Sequence, residues 1–215
     1  MPTCKHPAPA TRMFISFARH FSLSALLLTT ATPAWSADFS FDYIDFNFTT
    51  STIDLAASPH KVEGNGFGFA LSLGFSPHYA MSLSVMATTF DNFQHQQVES
   101  IKTTNLGITA HTQLADHTAV YGDASALIAE TTVNENSTAS GHSGMGYQLK
   151  AGLRQMVSKS VEFEFEASHL YVLEYPANNL HVVVRYYFYR AIAVGFAYRT
   201  GHNQDTIAIN ARASF

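Results

Sequence analysis

Three glutamates at a spacing of two, Glu162, Glu164 and Glu166, alternate with apolar residues in the run Val161-Glu-Phe-Glu-Phe-Glu-Ala167. Strand side chains alternate between faces, so the three carboxylates share one face and Val161, Phe163 and Phe165 share the other. Cations fall on the polar phase of other segments. Lys150 and Arg154 alternate with Leu149, Ala151 and Leu153, Arg185 alternates with Val182, Val184 and Tyr186, and Arg212 sits among the small and polar positions near the end of the chain. If the 156–160 turn centres near Ser158, antiparallel pairing sets Arg154 opposite Glu162 and Lys150 opposite Glu166. The following strand can bring Arg185 beside Glu166 or Glu164. Carboxylates and cations removed from water must pair, because an isolated buried charge is very costly. The expected chemistry is an ion-pair network made of Lys150, Arg154, Glu162, Glu164, Glu166, Arg185 and Arg212. Such a network either plugs an interior or rearranges as a gate. A ring of one sign would signal ion selectivity; the mixed signs here favour a plug.

Other reactive side chains form weaker patterns. Histidines stand at His60, His78, His95, His111, His117, His142, His169, His181 and His202 after the first 37 residues, and no pair of them has a zinc-motif spacing. No metal site and no cofactor is expected. Asp91 with His95, and His142 beside Ser143, are the cheap hydrolase-type candidates, but a Ser–His pairing is a matter of geometry that proximity in sequence does not supply. No catalytic residue is assigned, and the chain reads as a non-enzyme.

The elements that position the charges follow from composition and periodicity. Charged residues are 13% of the 215, about half the usual share for a soluble domain. Yet no run of 18 apolar residues exists to make a membrane-crossing helix. Low charge without a long apolar run suits strands that turn one face to lipid and the other inward. Residues 1–37 read as a signal peptide: Lys5, Arg12 and Arg19, then the apolar Phe21–Leu28, then small residues up to Ala37, with cleavage after Ser36 or Ala37. Met13 is an alternative start. Cys4 is the one cysteine and precedes the apolar core, so neither a disulfide nor a lipid-bearing cysteine is expected. The rest, 38–215, keeps nine basic against 16 acidic residues, which argues against nucleic acid as a partner.

Within 38–215 about ten alternating segments follow one another. Asp38–Thr50 reads as a first strand with a bulge at Tyr43-Ile44, so that Phe39, Phe41, Tyr43, Ile44, Phe46 and Phe48 all face outward. Gly66–Phe75 places Phe67, Phe69, Leu71, Leu73 and Phe75 on one face and Gly68, Ala70, Ser72 and Gly74 on the other. Joints near 51–65, 88–99, 131–144, 173–179 and 201–205 are longer than those near 76–78, 113–117, 156–160 and 189–191. The chain closes on Asp205–Phe215, in which Ile207, Ile209, Ala211, Ala213 and Phe215 share one face. A soluble edge strand of this kind would expose an apolar face and unpaired backbone groups. A closed transmembrane barrel removes both problems, with lipid on the apolar face and the first strand on the open edge. The expected fold is therefore all-β, a closed antiparallel up-and-down transmembrane β-barrel of about ten strands (eight being the alternative), with short periplasmic turns and longer outer loops.

With these features in place the chain resembles the small outer-membrane β-barrel proteins of Gram-negative bacteria, in the general class of OmpA membrane domains and OmpX-like proteins and of a proteobacterial ten-stranded type. Phe41–Phe48, Gly64–Phe69, Ala193–Arg199 and Ile207–Phe215 carry the resemblance. It implies an integral outer-membrane protein, with the terminal Ile207–Phe215 face serving as a membrane-assembly signature. The implied partners are outer-membrane lipids and lipopolysaccharide, the barrel-assembly machinery and periplasmic chaperones, and the implied state is a monomer. A structural or surface-interaction role with a plugged lumen leads. A small-solute porin-like channel is the alternative, and a lipid-modifying enzyme or protease follows behind.

Overall fold

The computed structural model describes residues 39–54, 61–90, 98–135 and 138–215. The leader, His60, Asp91 and His95 lie outside the described residues. Ten strands run in chain order: β1 (Tyr43–Asp54), β2 (Lys61–Ser76), β3 (Tyr79–Phe90), β4 (Val98–Ala115), β5 (Thr118–Glu135), β6 (Thr138–Ser158), β7 (Val161–Val172), β8 (Tyr175–Tyr189), β9 (Ile192–Gly201) and β10 (Gln204–Ser214). Each pairs antiparallel with its neighbour in sequence. The cylinder closes where β1 meets β10, in register from Tyr43 opposite Ser214 to Ile53 opposite Gln204. Closure leaves no sheet edge along that seam, which is the condition for strands in a bilayer.

Alternation decides which side chains meet lipid. Phe46, Phe48, Phe67, Leu73, Leu106, Ile108, Leu149, Val184, Phe196, Ile207 and Ile209 are all exposed on the outer surface. Aromatic residues collect at both margins of this apolar band. Phe75 stacks on Tyr79 at 6.2 Å near the first short turn, and Tyr147 stacks on Tyr171 at 5.8 Å toward the opposite end. Two such girdles flanking an apolar belt match the bilayer interfaces of a membrane barrel. Ile209, at the middle of β10 and 64% exposed, sits deep in that belt. Replacing it by arginine is expected to cost about 2–4 kcal/mol, as charges do on a barrel's lipid face, read as a lower urea midpoint for the protein folded into vesicles.

Two expectations about local structure need correction. Among the described residues, the stretches read as long outer loops are strand or tight turn. β5 and β6 run on to Glu135 and back from Thr138, and Leu173-Glu174 is a two-residue turn with φ of 52° and 67°. Positive φ at both central residues is the geometry that matches strand twist in tight hairpins. The Thr- and Ser-rich stretches lack apolar alternation, yet β-branched residues still extend a ladder beyond the membrane.

The second correction concerns the first strand. It starts at Tyr43, and its registers with β2 and β10 are unbroken through Tyr43-Ile44, so there is no bulge. The odd-numbered phase runs inward throughout: Asp45, Thr49 and Ser51 are buried while Phe46 and Phe48 are exposed. Phe39, Phe41 and Tyr43 continue that inward phase. Their aromatic faces are taken by guanidinium groups and by other side chains inside the barrel, not by lipid.

Candidate functional site: a charged lumen

The inward charges come together at the end of the barrel that carries the short turns. Glu162, 1% exposed, is the centre. Arg154 reaches it through Nη2–Oε2 at 2.7 Å and Nε–Oε1 at 3.3 Å, and Arg185 through Nη1–Oε1 at 2.7 Å. The Tyr187 hydroxyl donates to Glu162 Oε2 at 2.9 Å, and Arg212 Nη1 stands 3.7 Å from Oε1. Arg185 Nη1 also contacts Glu164, and its Nε donates to Asn210 Oδ1 at 3.0 Å. Arg212 forks onto Asp45, with Nε–Oδ1 at 2.8 Å and Nη2–Oδ2 at 2.7 Å, and lies 3.9 Å over the Tyr43 ring. Such a two-bond fork is the strongest arrangement available to an arginine–carboxylate pair, and the ring face adds a cation–π contribution.

Room for these groups comes from small residues on neighbouring strands. A Cβ at Gly152 would come within 2.3 Å of the Tyr121 ring, and one at Gly195 within 2.9 Å of Arg185 Cγ. The glycine at 152 thus lets Tyr121 cross the lumen, where its hydroxyl lies 2.6 Å from Glu164 and 2.9 Å from Glu166. One proton serves two carboxylates, so it is donated to one at a time. Asp45, Glu162 and Glu164 stand against Arg154, Arg185 and Arg212, three charges of each sign, all buried. The set is neutral, as a buried ionic cluster requires. Of its guanidinium nitrogens, Arg212 Nη1 stays without a hydrogen-bond partner among the described residues, 3.7 Å from Glu162 Oε1.

The sequence-derived members distribute as follows. Arg154, Glu162, Glu164, Arg185 and Arg212 form the cluster. Their expected register is off by two residues: Arg154 stands opposite Glu164 and Gly152 opposite Glu166. The turn is Lys159-Ser160 and not centred on Ser158, which moves the ladder, and an irregularity between Met156 and Ser158 takes one residue of that shift back. The Arg154–Glu162 pair still forms, diagonally. Lys150 is not opposite Glu166; it stands opposite Asp123 on β5 and Ser168 on β7. Glu166 contacts Tyr121 and, at 4.0 Å, His181 Nδ1, and Lys150 stays within its electrostatic reach. Sequence reasoning missed Asp45, Tyr121, Tyr187 and Asn210 as members. Asp45 was findable, because closing β1 on β10 places it opposite Arg212. The tyrosines share the polar phase of their segments, Tyr121 with Asp123 and Tyr187 with Arg185, and that alternation was the signal that could have found them.

Above the cluster lies a cavity of about 70 Å³ lined by Ser82, Asn105, Thr109, Tyr121, Asp123, Ser125 and Lys150 among others, with Phe41 and Arg154 below. That is room for a few waters. Asp123 Oδ2 accepts from Ser82 at 2.7 Å and Thr109 at 2.8 Å. Further out, the inward positions of β5 turn apolar, with Leu127 and Ala129 buried, as are Phe90 on β3 and Val62 on β2.

The remaining candidates do not assemble. Among the described residues no group of three or more His, Cys, Asp or Glu side chains is placed to hold a metal. His142 and Ser143 are consecutive residues of β6 and point to opposite faces of the sheet, so they are not a catalytic pair. His111 stacks on Phe41 at 3.7 Å and His169 Nδ1 bonds Asn178 Oδ1 at 2.8 Å. Ile207, Ile209, Ala211, Ala213 and Phe215 share the exposed outer face of the closing strand, as expected.

A closed ten-stranded antiparallel cylinder with an apolar exterior, aromatic margins and a charged interior defines a transmembrane β-barrel. Residues 21–199 match the family model described as outer membrane protein beta-barrel domain, and the chain belongs to that family. Its place is therefore the outer membrane of a Gram-negative bacterium. A search of curated proteins finds no significant match. Among solved structures the chain is similar to the KdgM porin (9% identity, 80% of this chain and 99% of that one, TM-score 0.42). It is also similar to Ail, the attachment invasion locus protein of Yersinia pestis (11%, 82% and 98%, TM-score 0.40), and to the beta domain of the Bordetella autotransporter BrkA (10%, 82% and 100%, TM-score 0.49).

Proposed function

We propose that this outer-membrane barrel is a sealed, non-catalytic scaffold that presents its outer wall and loops to partners at the cell surface, and that it does not pass solutes. One observation carries the reading: the inward charges are spent on one another across the lumen. β1, β6, β7, β8 and β10 each contribute a member of one connected cluster, from Asp45 through Arg212, Glu162, Arg154 and Arg185 to Glu164. A conducting pore needs lining groups free to exchange with solute.

The height of one side of the wall supports the surface role. β4, β5 and β6 have 18, 18 and 21 residues, whereas about 9–11 cross a bilayer. The last rung between β6 and β7 joins Gly146 to Val172, so Thr138–Met145 of β6 has a strand on one side only. This part of the wall lies beyond the apolar belt, where a rigid scaffold displays polar residues for recognition. In the same reading the protein is monomeric, and residues 1–37 are an export leader removed after Ser36 or Ala37. The exposed belt contacts outer-membrane lipids and lipopolysaccharide, and the Ile207–Phe215 face is the feature read by periplasmic chaperones and the barrel-assembly machinery.

Planar-bilayer recording of the refolded protein tests this. Folded protein, verified by its heat-dependent gel mobility, is expected to give no conductance above the lipid baseline. Steady channels whose conductance changes in Glu166→Gln or Arg154→Ala would make the protein a pore and end the scaffold reading.

A further inference from the structure

Residues Phe39–Asp42, which precede the first strand, do not trail away from the barrel. Phe41 is 8% exposed and packs with Ala80 of β3 and Ala119 of β5, with Phe39 and Tyr121 against the same cluster. Its ring stacks on His111 of β4 at 3.7 Å with 9° between the planes. The Arg154 guanidinium lies 5.3 Å from the centre of the Phe39 ring and 5.0 Å from that of Phe41, and its Nη1 donates to the Ser40 carbonyl at 2.9 Å. The Asp42 carboxylate accepts from the Gly74 backbone of β2. The Phe215 N–H donates to the Asp42 carbonyl at 3.0 Å, and Ser40 Oγ donates to the Phe215 carbonyl at 3.2 Å. Four residues thus touch β2, β3, β4, β5, β6 and the end of the chain.

Position gives this contact set its meaning. Phe41 is part of the lining of the 70 Å³ cavity, on the side of the short turns. Polar side chains reach that lining beside it, among them Ser82, Ser125, Asp123 and Lys150, together with the apolar Leu71 and Leu83. Asp123 Oδ1 is buried and has no hydrogen-bond partner among the described residues, and buried polar atoms of this kind are normally met by water. The chamber therefore sits below an apolar outer seal, with Leu127 and Ala129. Its periplasmic side is shared by the ion-pair cluster of β1, β6, β7, β8 and β10 and by the aromatic segment packed against β3, β4 and β5.

We propose that Phe39–Asp42 is a periplasmic stopper, and that its displacement opens the inner chamber to water and small solutes from the periplasmic side alone. The contacts that hold it are side-chain packing, one guanidinium and a handful of hydrogen bonds, and the ladder rungs of β1 begin only at Tyr43. The wall behind it is continuous ladder. Opening of the segment is thus a local event, separable from unfolding of the barrel. Because its anchors include Phe215 at the end of the closing strand, the stopper can seat only on a barrel that has closed. The proposal rests on the sealed-lumen reading for the outer side.

Cysteine accessibility tests it, since the sequence has one cysteine, Cys4. In a Cys4→Ser background of the full chain, Ser82→Cys and Ser125→Cys report on the chamber and Leu127→Cys on the outer seal. Iodoacetamide alkylation of the refolded protein is followed by mass spectrometry with the stopper intact and with Phe39→Ser/Phe41→Ser. The chamber reporters are expected to react slowly with the stopper intact and about tenfold faster without it, since reaction follows the open population; Leu127→Cys stays protected in both. Equal rates at the chamber reporters in the two backgrounds would overturn the stopper, and so would a parallel rise at Leu127→Cys, which signals general loosening. Bilayer recording of the same variants separates the two readings. Channels in the parent protein would end the sealed-scaffold reading, whereas the alkylation rates decide the stopper.

Discussion

Replacing Glu162 by alanine is expected to cost about 3–5 kcal/mol, the penalty for stranding buried charges by removing their partner. Arg154 would lose the only carboxylate that it contacts among the described residues, and Arg185 would keep Glu164 and, at 4.0 Å, Asp45. Tyr187 would also lose its acceptor. Glu166→Ala is the control on the same strand. Glu166 has no arginine against it among the described residues, only a tyrosine hydroxyl, a histidine at 4.0 Å and the charge of Lys150. About 1.5–3 kcal/mol is therefore expected, the scale of one hydrogen bond to a charged group. Urea titration of the protein folded into vesicles measures both midpoints. A double variant, Glu162→Gln/Arg154→Met, is expected to recover much of the single-variant loss, because it removes charge from both sides of the pair. If Glu162→Ala and Glu166→Ala were equally mild, the lumen would be hydrated enough to solvate single charges, and the sealed-lumen reading would lose its basis.

How much of this could be read from the chain varies with the physics involved. The lipid-facing pattern was legible, because burial in a bilayer enforces period two. Phe67, Leu73, Ile207 and Ile209 declare it without help from tertiary context. The partners of the charges were legible only in outline. Composition said that Glu162, Glu164 and Arg154 must meet, but which atoms meet depends on register. A turn at Lys159-Ser160, beyond the expected centre at Ser158, left the ladder two residues from the expected pairing. Long arginine side chains absorb such a shift, so the Arg154–Glu162 pair survived it. Lys150 did not keep its expected position opposite Glu166.

The amino-terminal aromatics misled for a different reason. In a membrane barrel an aromatic on an alternating phase suggests lipid or the interface. Phe39, Phe41 and Tyr43 instead meet the ring faces and guanidinium groups of the interior, where cation–π contacts make them suitable neighbours for buried arginines. Asp45 on the same phase was the signal that the odd positions face inward. A bulge proposed to keep every aromatic outside overrode it.

The seam between β1 and β10 carries the second large prediction. Arg212 and Asp45 face each other across it as a buried two-bond fork, 3% and 6% exposed, in the rung that closes the cylinder. Arg212→Ala is expected to cost about 3–5 kcal/mol and to lower the yield of the compact, heat-modifiable form on refolding. The pair has an instructive asymmetry. Asp45 Oδ2 also lies 4.0 Å from Arg185, and Arg212 lies 3.7 Å from Glu162. Exchanging the two charges, Asp45→Arg/Arg212→Asp, would set an arginine against Arg185 and a carboxylate against Glu162. The exchange is therefore expected to fold no better than Arg212→Ala. An apolar pair, Asp45→Leu/Arg212→Met, should recover more stability, because it removes both charges at once and leaves Arg185 and Glu162 to each other. Rescue by the exchanged pair, with no gain from the apolar one, would mean that the seam pair acts in isolation. The lumen would then be a set of independent bridges, with no shared cluster centred on Glu162.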